Sequence, residues 1–266
     1  MGILNVTPDS FSDGGLFLSP EAAVIHGKQM VADGADMIDI GGQSTRPGSK
    51  PVSRNEELRR VLPIIEALIS EIQVPISIDT TKPEVADESF KRGVHILNDI
   101  SGLRDERMIR VAARWDVPVI IMHMQGTPET MQINPTYVNV VEEIKTYLAT
   151  QAKKAKQTGI EEIIIDPGIG FGKTVEHNLT IIKHLAEFKE LGYPLLVGPS
   201  RKGFIGTLLN RGVHDRLAGT LATITACMLN GADIIRAHEV KECRDAMTIA
   251  DAITREHNHG TTESGF

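Results

Sequence analysis

The stretch ISIDTTKPEVADESFKRGVHILND, residues 76–99, contains one complete structural unit. Ile76–Asp79 reads as a short strand. It runs into the polar turn Asp79-Thr80-Thr81-Lys82. Pro83 follows where a first helical residue would stand, because a helix start has no use for the missing N–H. Gly93 sits near the end of the helical segment, and His95–Asn98 reads as a second strand. A strand, a polar turn, a helix and another strand in this order make the βα repeat of a parallel sheet.

The same unit recurs outward in both directions. Strand-like runs are Gly2–Val6, Met37–Ile40, Ile76–Asp79, His95–Asn98, Val117–Met122, Glu162–Ile165, Pro194–Val197 and Asp233–Arg236. Their spacing is near the ~30 residues of a βα unit. Several are almost wholly apolar, as strands covered on both faces must be. Between them the apolar period lengthens to that of a helix. In Glu56–Ile72, Leu58, Val61, Leu62, Ile65, Leu68, Ile69 and Ile72 share a face. Ser53 and Glu56 have capping-box spacing ahead of it, and Pro63 should kink it by removing a donor. In Tyr137–Lys156 a similar stripe contains Val140, Val141, Ile144, Tyr147, Leu148 and Ala155. Such stripes are core positions. Trp115, in a helical stretch, is read as packing.

The chain has 266 residues, and a single closed barrel takes ~250. Eight alternating units without a break in composition therefore predict an α/β fold: one (β/α)8 TIM barrel over residues 1–256, with a polar, disordered tail at 257–266. An open doubly wound sheet is the competitor, weakened because no Gly-x-Gly-x-x-Gly follows the first strand. Net charge is −7, which argues against nucleic acid as the main partner. No apolar run approaches a membrane span. Met1 leads straight into a strand-like run rather than a signal peptide, and the two cysteines, Cys227 and Cys243, have no metal-ligand spacing. These features predict a cytoplasmic protein with reduced thiols.

In such a barrel the reactive groups lie at the C-terminal ends of the strands. Polar residues gather there in nearly every unit: Asn5, Asp39, Asp79, Asn98, Asp166, Lys202, Arg236 and His238. A lone Asp after a strand is as often a helix cap, and a Gly-rich turn answers a backbone need. What makes the set informative is that eight strand ends converge on one mouth. Arg46, Arg201, Lys202, Arg236 and His238 could surround an anion with several charges, arginine binding phosphate oxygens with two bonds. Asp79, Asn98 and Asp166 supply mostly acceptors and suit a flat heterocycle with adjacent N–H donors. Together they suggest a pterin or purine phosphate. Neither a P-loop nor His-Glu-x-x-His is present, and no nucleophile–base motif is seen.

Bland readings are kept for other conspicuous residues. His123 is read as a wall residue, Asp99 as a loop or cap hydrogen bonder, and Ser200 and Arg201 as loop-positioning. Asp39 either holds the second loop or faces solvent or substrate.

The segments Met1–Gly15, Asp39–Gly48, Ser77–Lys82, Leu97–Gly102, Met122–Pro128, Ile165–Thr174, Pro199–Gly206 and Arg236–Val240 together resemble dihydropteroate synthase, in order and in spacing. Thr-Pro-Asp-Ser-Phe, Ser-Thr-Arg-Pro-Gly and Ser-Arg-Lys are its most specific elements. The resemblance implies a transferase of folate biosynthesis. It condenses (7,8-dihydropterin-6-yl)methyl diphosphate with 4-aminobenzoate to give 7,8-dihydropteroate and pyrophosphate. It implies Mg2+, a homodimer, and sulfonamides as mimics of 4-aminobenzoate. By resemblance Asn5 ligates Mg2+. Asp79, Asn98, Asp166 and Lys202 hold the pterin, and Thr45, Arg46, Arg236 and His238 surround the diphosphate. Phe11, Pro47 and Phe171 help to form the aminobenzoate site. Asp79, Lys202, Arg236 and His238 are the expected catalytic set.

The first two loops are expected to close over the diphosphate, with Asp13 and Arg46 as a candidate bond between them. Gly203 departs from relatives that carry Ser after the lysine, which bears on the aminobenzoate carboxylate. The dimer surface is expected around Cys243, Ala246, Met247, Ile249 and Ala250. Two other functions compete: a corrinoid-linked methyltransferase taking its methyl group from a reduced folate, and a catalytically silent pterin-binding barrel. The first has no need for the diphosphate clamp suggested by Thr45-Arg46, Ser200-Arg201-Lys202 and Arg236-Ala237-His238, and the intact Asn5, Asp79, Lys202 and Arg236 argue against the second.

Overall fold

A computed structural model describes residues 1–7 and 20–256. Eight parallel strands alternate with helices. They are β1 (Gly2–Asn5), α1 (Pro20–Ala32), β2 (Ile38–Gly41), α2 (Arg54–Leu68), β3 (Ile76–Asp79), α3 (Pro83–Phe90), β4 (Ile96–Asp99), α4 (Glu106–Trp115), β5 (Val119–Met122), α5 (Val140–Gln157), β6 (Ile163–Asp166), α6 (Val175–Lys183), α7 (Leu185–Phe188), β7 (Leu196–Val197), α8 (Gly203–Leu209), α9 (Leu217–Leu229), β8 (Ile234–Ile235) and α10 (Val240–Glu256). β1 to β6 pair in sequence order, and β7 pairs with β8. Single bridges close the ring, Ile165 to Leu195 on one side and Gly2 to Ala237 on the other. Ile3 N–H donates to Ala237 O at 3.0 Å, and Ala237 N–H donates to Met1 O at 3.0 Å. The predicted barrel is therefore formed.

Period-2 alternation along the strands sorts the side chains. Ile38, Ile40, Ile76, Ile78, Leu97, Val119, Ile121, Ile163 and Ile165 belong to the main core, packed with the helices. The alternate residues point into the lumen. Ile96, Ile120 and Leu196 fill its lower layer with Met1, Met37, Ile164 and Ile234 packed against them. Above this apolar layer, in the same phase, come Asp39, Ser77, Asp79, Asn98, Asp166 and Arg236. Burying each large core side chain contributes about 1.5–3 kcal/mol, so the apolar set fixes the phase and the polar set follows it.

Element ends differ slightly from the sequence reading. β2 and β4 run one residue further, to Gly41 and Asp99. α2 stops at Leu68, and Ile72, predicted on its stripe, is buried beyond the helix. The helix is continuous through Pro63. Ser53 accepts from Glu56 N–H, but the Glu56 carboxylate engages Arg59 and Arg60 rather than closing a full capping box. The connection from β7 to β8 holds two helices, α8 and α9, where one was predicted. Trp115 packs on Phe90 and donates to Asp87 at 2.8 Å.

Candidate active site

The strand ends build the site in two levels. On the lower one, Asp39 accepts from Ser77 Oγ at 2.5 Å, from Asn98 Nδ2 at 3.0 Å and from Arg236 Nε at 2.6 Å. Arg236 Nη2 also donates to Asp79 at 2.9 Å. Asp166 accepts from Gly168 N–H at 2.7 Å. Asp79, Asn98 and Asp166 are only 7%, 4% and 6% exposed, so the acceptor set is sunk beneath the mouth.

Burial raises the Asp79 carboxyl to about 7, against the pull of Arg236, with Asp39 adding repulsion. Burial likewise raises Asp166 to about 6, opposed by the Gly168 N–H and by Lys202 and Lys173. Desolvation penalises the ionised form, and neighbouring cations restore part of it.

The upper level is a cavity of about 560 Å³. It is lined by Asn5, Thr45, Arg46, Pro47, Phe171, Lys202, Arg236 and His238, among others. Lys202 Nζ stands 3.9 Å from the Phe171 ring centroid, a cation–π contact. Burial and Arg236 push its ammonium down to about 8. The lysine stem lies so close to Gly170 that a Cβ there would be 2.7 Å from Lys202 Cδ; Gly170 also has φ +83°, so glycine serves twice. The root of the second loop is tied down from below. Lys82 Nζ donates to Glu57 at 2.5 Å and to Gln43 at 2.6 Å, while Arg60 donates to Gly42 O at 2.9 Å.

His238 and Arg201 do not add the charge the sequence suggested. Burial, and then Arg201 and Arg236, push His238 down to about 3, so it is a neutral imidazole, 2.9 Å from Ser200 Oγ. Arg201 is paired with Glu239. The net cationic charge at the rim is therefore carried by Arg46 and Lys202, with Arg236 already shared between two carboxylates.

The structure brings together Asn5, Thr45, Arg46, Pro47, Asp79, Asn98, Asp166, Phe171, Lys202, Arg236 and His238 at one end of the barrel. Phe11, and the Asp13 to Arg46 bond, lie outside the described residues. Asp99 is fully buried and accepts from Ser101 and Leu103 N–H groups, turning the loop after β4. Asp39 is closed to solvent; its phase on β2 points it into the lumen, where it bonds Ser77, Asn98 and Arg236 rather than the second loop. Lys173 was not singled out by sequence. It is buried and donates to Phe171 O at 2.8 Å beside His123 Nδ1 at 3.1 Å. On α10, Cys243 and Ala250 are buried rather than on the surface.

For Mg2+ the donor set is a fair match. Among the described residues no group of three or more His, Cys, Asp or Glu side chains could cage a metal. Magnesium keeps most of its water and takes substrate phosphate oxygens, so one or two protein oxygens suffice. Asn5 Oδ1 and Asp79 converge over Gly41, where an added Cβ would lie 3.4 Å from the amide oxygen and 3.7 Å from Asp79 Oδ2.

Fold and site thus define a barrel enzyme for a pterin-like heterocycle carrying phosphate. Residues 1–238 match the pterin binding enzyme family. The dihydropteroate synthase of Escherichia coli strain K12 is 50% identical over 254 residues, covering 95% of this chain and 90% of that one. The Yersinia pestis dihydropteroate synthase, solved with a sulfonamide drug, superposes with a TM-score of 0.92 at 44% identity, covering 96% of this chain and 94% of that one. The Thermus thermophilus enzyme, solved with 4-aminobenzoate, gives 0.87 at 42% identity, covering 95% and 93%. The chain belongs to the dihydropteroate synthase family of pterin-binding enzymes. These relatives favour the synthase over the methyltransferase alternative.

Proposed function

We propose that the mouth of the barrel works as two opposed electrostatic halves in the synthase reaction. The C–O bond between the pterin methylene and the diphosphate breaks. A C–N bond to 4-aminobenzoate forms, and the arylammonium loses its proton to solvent. The carrying observation is a buried acceptor set, Asp79, Asn98 and Asp166, joined through Arg236 to a cavity that Arg46 and Lys202 also line.

The floor receives the N–H edge of the pterin. The methylene is attached to an electron-rich dihydropterin, so departure of pyrophosphate leaves a cation delocalised into the ring. Asp79 and Asp166, ionised and desolvated, favour that positive charge. Arg46 supplies net positive charge to the departing group, and Arg236, its own charge shared with Asp39 and Asp79, supplies guanidinium donors. Neutral His238 donates a hydrogen bond there rather than a full charge. Bound through Asn5, Mg2+ would neutralise diphosphate oxygens. The arylamine is already nucleophilic, so a triad is not needed. Phe171, Pro47 and the stem of Lys202 offer its ring an apolar slot.

The dimer is proposed on the α9 and α10 face, where Leu217, Leu229, Ile249 and Ile253 stay exposed. No helix among the described residues is long and apolar enough to cross a membrane.

The testing experiment follows pyrophosphate release with both substrates, with each alone, and with Mg2+ withdrawn. Release and dihydropteroate formation requiring pterin diphosphate and metal support the scheme. No dihydropteroate under any condition refutes it.

A further inference from the structure

Arg236 has two carboxylates on one edge of its guanidinium. Nε and Nη2 each reach Asp39 Oδ2 at 2.6 Å, and Nη2 reaches Asp79 Oδ2 at 2.9 Å. The two acids differ in every other respect. Asp39 has no exposed surface, and its other donors are protein groups: Ser77 Oγ on Oδ1 and Asn98 Nδ2 on Oδ2. Asp79 keeps a small exposed area, and among the described residues its carboxylate accepts from Arg236 alone.

We infer that Asp39 is a positioning residue for the reaction, one that acts through both halves of the site. It holds Arg236 at the rim while the pterin takes over Asp79, and it turns the Asn98 amide so that its oxygen faces the pterin. The inference rests on the assignment of Asp79 and Asn98 to the pterin.

Two physical points carry it. A guanidinium left with Asp79 as its sole partner would settle fork to fork on that carboxylate, the strongest geometry open to it. Arg236 would then cover the acceptor the pterin needs. Asp39 draws Nε and Nη2 to itself and leaves Asp79 a single bond, which an incoming N–H can exchange. The second point concerns Asn98. Its Nδ2 donates to Asp39, so its Oδ1 is left as the acceptor. Turned the other way, it would present a donor to the pterin's donors, an unpaired clash in a buried place.

The test is a double-mutant cycle with Asp39→Asn, Arg236→Met and the pair. It measures kcat, both KM values, and calorimetric binding of the pterin alcohol, which lacks the diphosphate. Asp39→Asn is expected to lower kcat and pterin-alcohol affinity by roughly tenfold each while leaving KM for 4-aminobenzoate within about twofold. With Arg236 already Met, the same change is expected to lower kcat by less than about threefold, because its target is gone. The loss of pterin-alcohol affinity through Asn98 should persist. A kcat loss of equal size in both backgrounds, or unchanged pterin-alcohol affinity, overturns the inference. If Asp39→Asn does not fold, Ser77→Ala keeps the charge but frees Oδ1. It should give a smaller loss of the same kind, about threefold, and no loss overturns the inference. If Asp79→Asn and Arg236→Met both turn over at the wild-type rate, it is the underlying assignment that fails.

Discussion

Lys173 Nζ lies 3.1 Å from His123 Nδ1, in buried space behind Phe171. Burial pushes the ammonium down to about 7 and the imidazole down to about 2. His123 is therefore neutral at any working pH, and while Lys173 is an ammonium Nδ1 accepts from it. The same ammonium donates to Phe171 O at 2.8 Å, and so holds the backbone that carries the Phe171 ring.

That geometry predicts a selective kinetic effect. Lys173→Met removes the donor to the Phe171 carbonyl and should raise KM for 4-aminobenzoate roughly fivefold, the worth of one hydrogen bond of about 1 kcal/mol. KM for the pterin diphosphate should change much less. Steady-state kinetics with each substrate varied in turn measures both. Equal effects on the two would mean that Lys173 supports the whole floor rather than the Phe171 wall.

The shifted acids and bases predict a narrow pH profile. Asp79 must be ionised to accept the pterin edge, and its folded value is about 7. Asp166 follows near 6, and Lys202 loses its proton near 8. Activity in kcat/KM for the pterin diphosphate should fall on the acid side through about 7 and on the basic side through about 8. Substituting Asp79 should remove the upper acid step and leave the one from Asp166. A profile flat from pH ~5 to ~9 would contradict the roles given to these groups.

Asp79→Asn should separate activity from stability. Asp39 still holds Arg236, so the lumen keeps its packing, but the floor loses charge and the rate should drop by about 100-fold or more. The sign of the stability effect follows from the raised carboxyl. Both states are protonated below the ordinary value of 3.8, and the unfolded chain ionises first as pH rises. Wild-type stability is therefore lost progressively between about 4 and 7, and the neutral amide escapes that loss. Thermal melts at acid and at mildly alkaline pH should show the variant gaining on the wild type as pH rises. The opposite trend would mean that Arg236 overcompensates for burial.

Gly203 opens α8, and a Cβ built there meets nothing within 4 Å. Gly203→Ser should therefore fold normally, with a gain of about 0.4–1 kcal/mol from restricting the unfolded chain. Gly203 lines the same cavity as Pro47, Phe171 and Lys202, so a hydroxyl there is open to that cavity. A several-fold fall in KM for 4-aminobenzoate is expected, and calorimetric titration with that acid checks it. An unchanged KM would place the carboxylate elsewhere.

The eight strands were legible because Ile-rich runs such as Val119–Met122 leave no other reading, and strand ends placed Asp79, Asn98 and Asp166 together. Arg236, two residues past the start of β8, was legible for the same reason. Three features were not. Asp39 sits inside an apolar strand, where end-of-strand reasoning gives it no direction; only the register pairing Asp39 with Ser77 turns it toward the lumen. An isolated carboxylate between Ile38 and Ile40 was the available signal. Lys173 was hidden because a lysine in a glycine-rich loop looks solvated, and its acceptors are carbonyls whose positions depend on tertiary packing. His238 was grouped with the anion-binding residues because it follows the eighth strand end, whereas burial, with Arg201 and Arg236 beside it, keeps it neutral.

The division of the mouth into a half for the cation and a half for the pyrophosphate is tested most directly by positional isotope exchange. Pterin diphosphate labelled with heavy oxygen between the methylene and the α-phosphorus is held on the enzyme with Mg2+ and without 4-aminobenzoate. The label should scramble into the non-bridging α positions as the bond breaks and reforms, and Asp79→Asn should slow the scrambling with the rate. A label that stays in place, on enzyme that turns over once 4-aminobenzoate is added, would show the amine expelling pyrophosphate in one step, with no cation for Asp79 and Asp166 to stabilise.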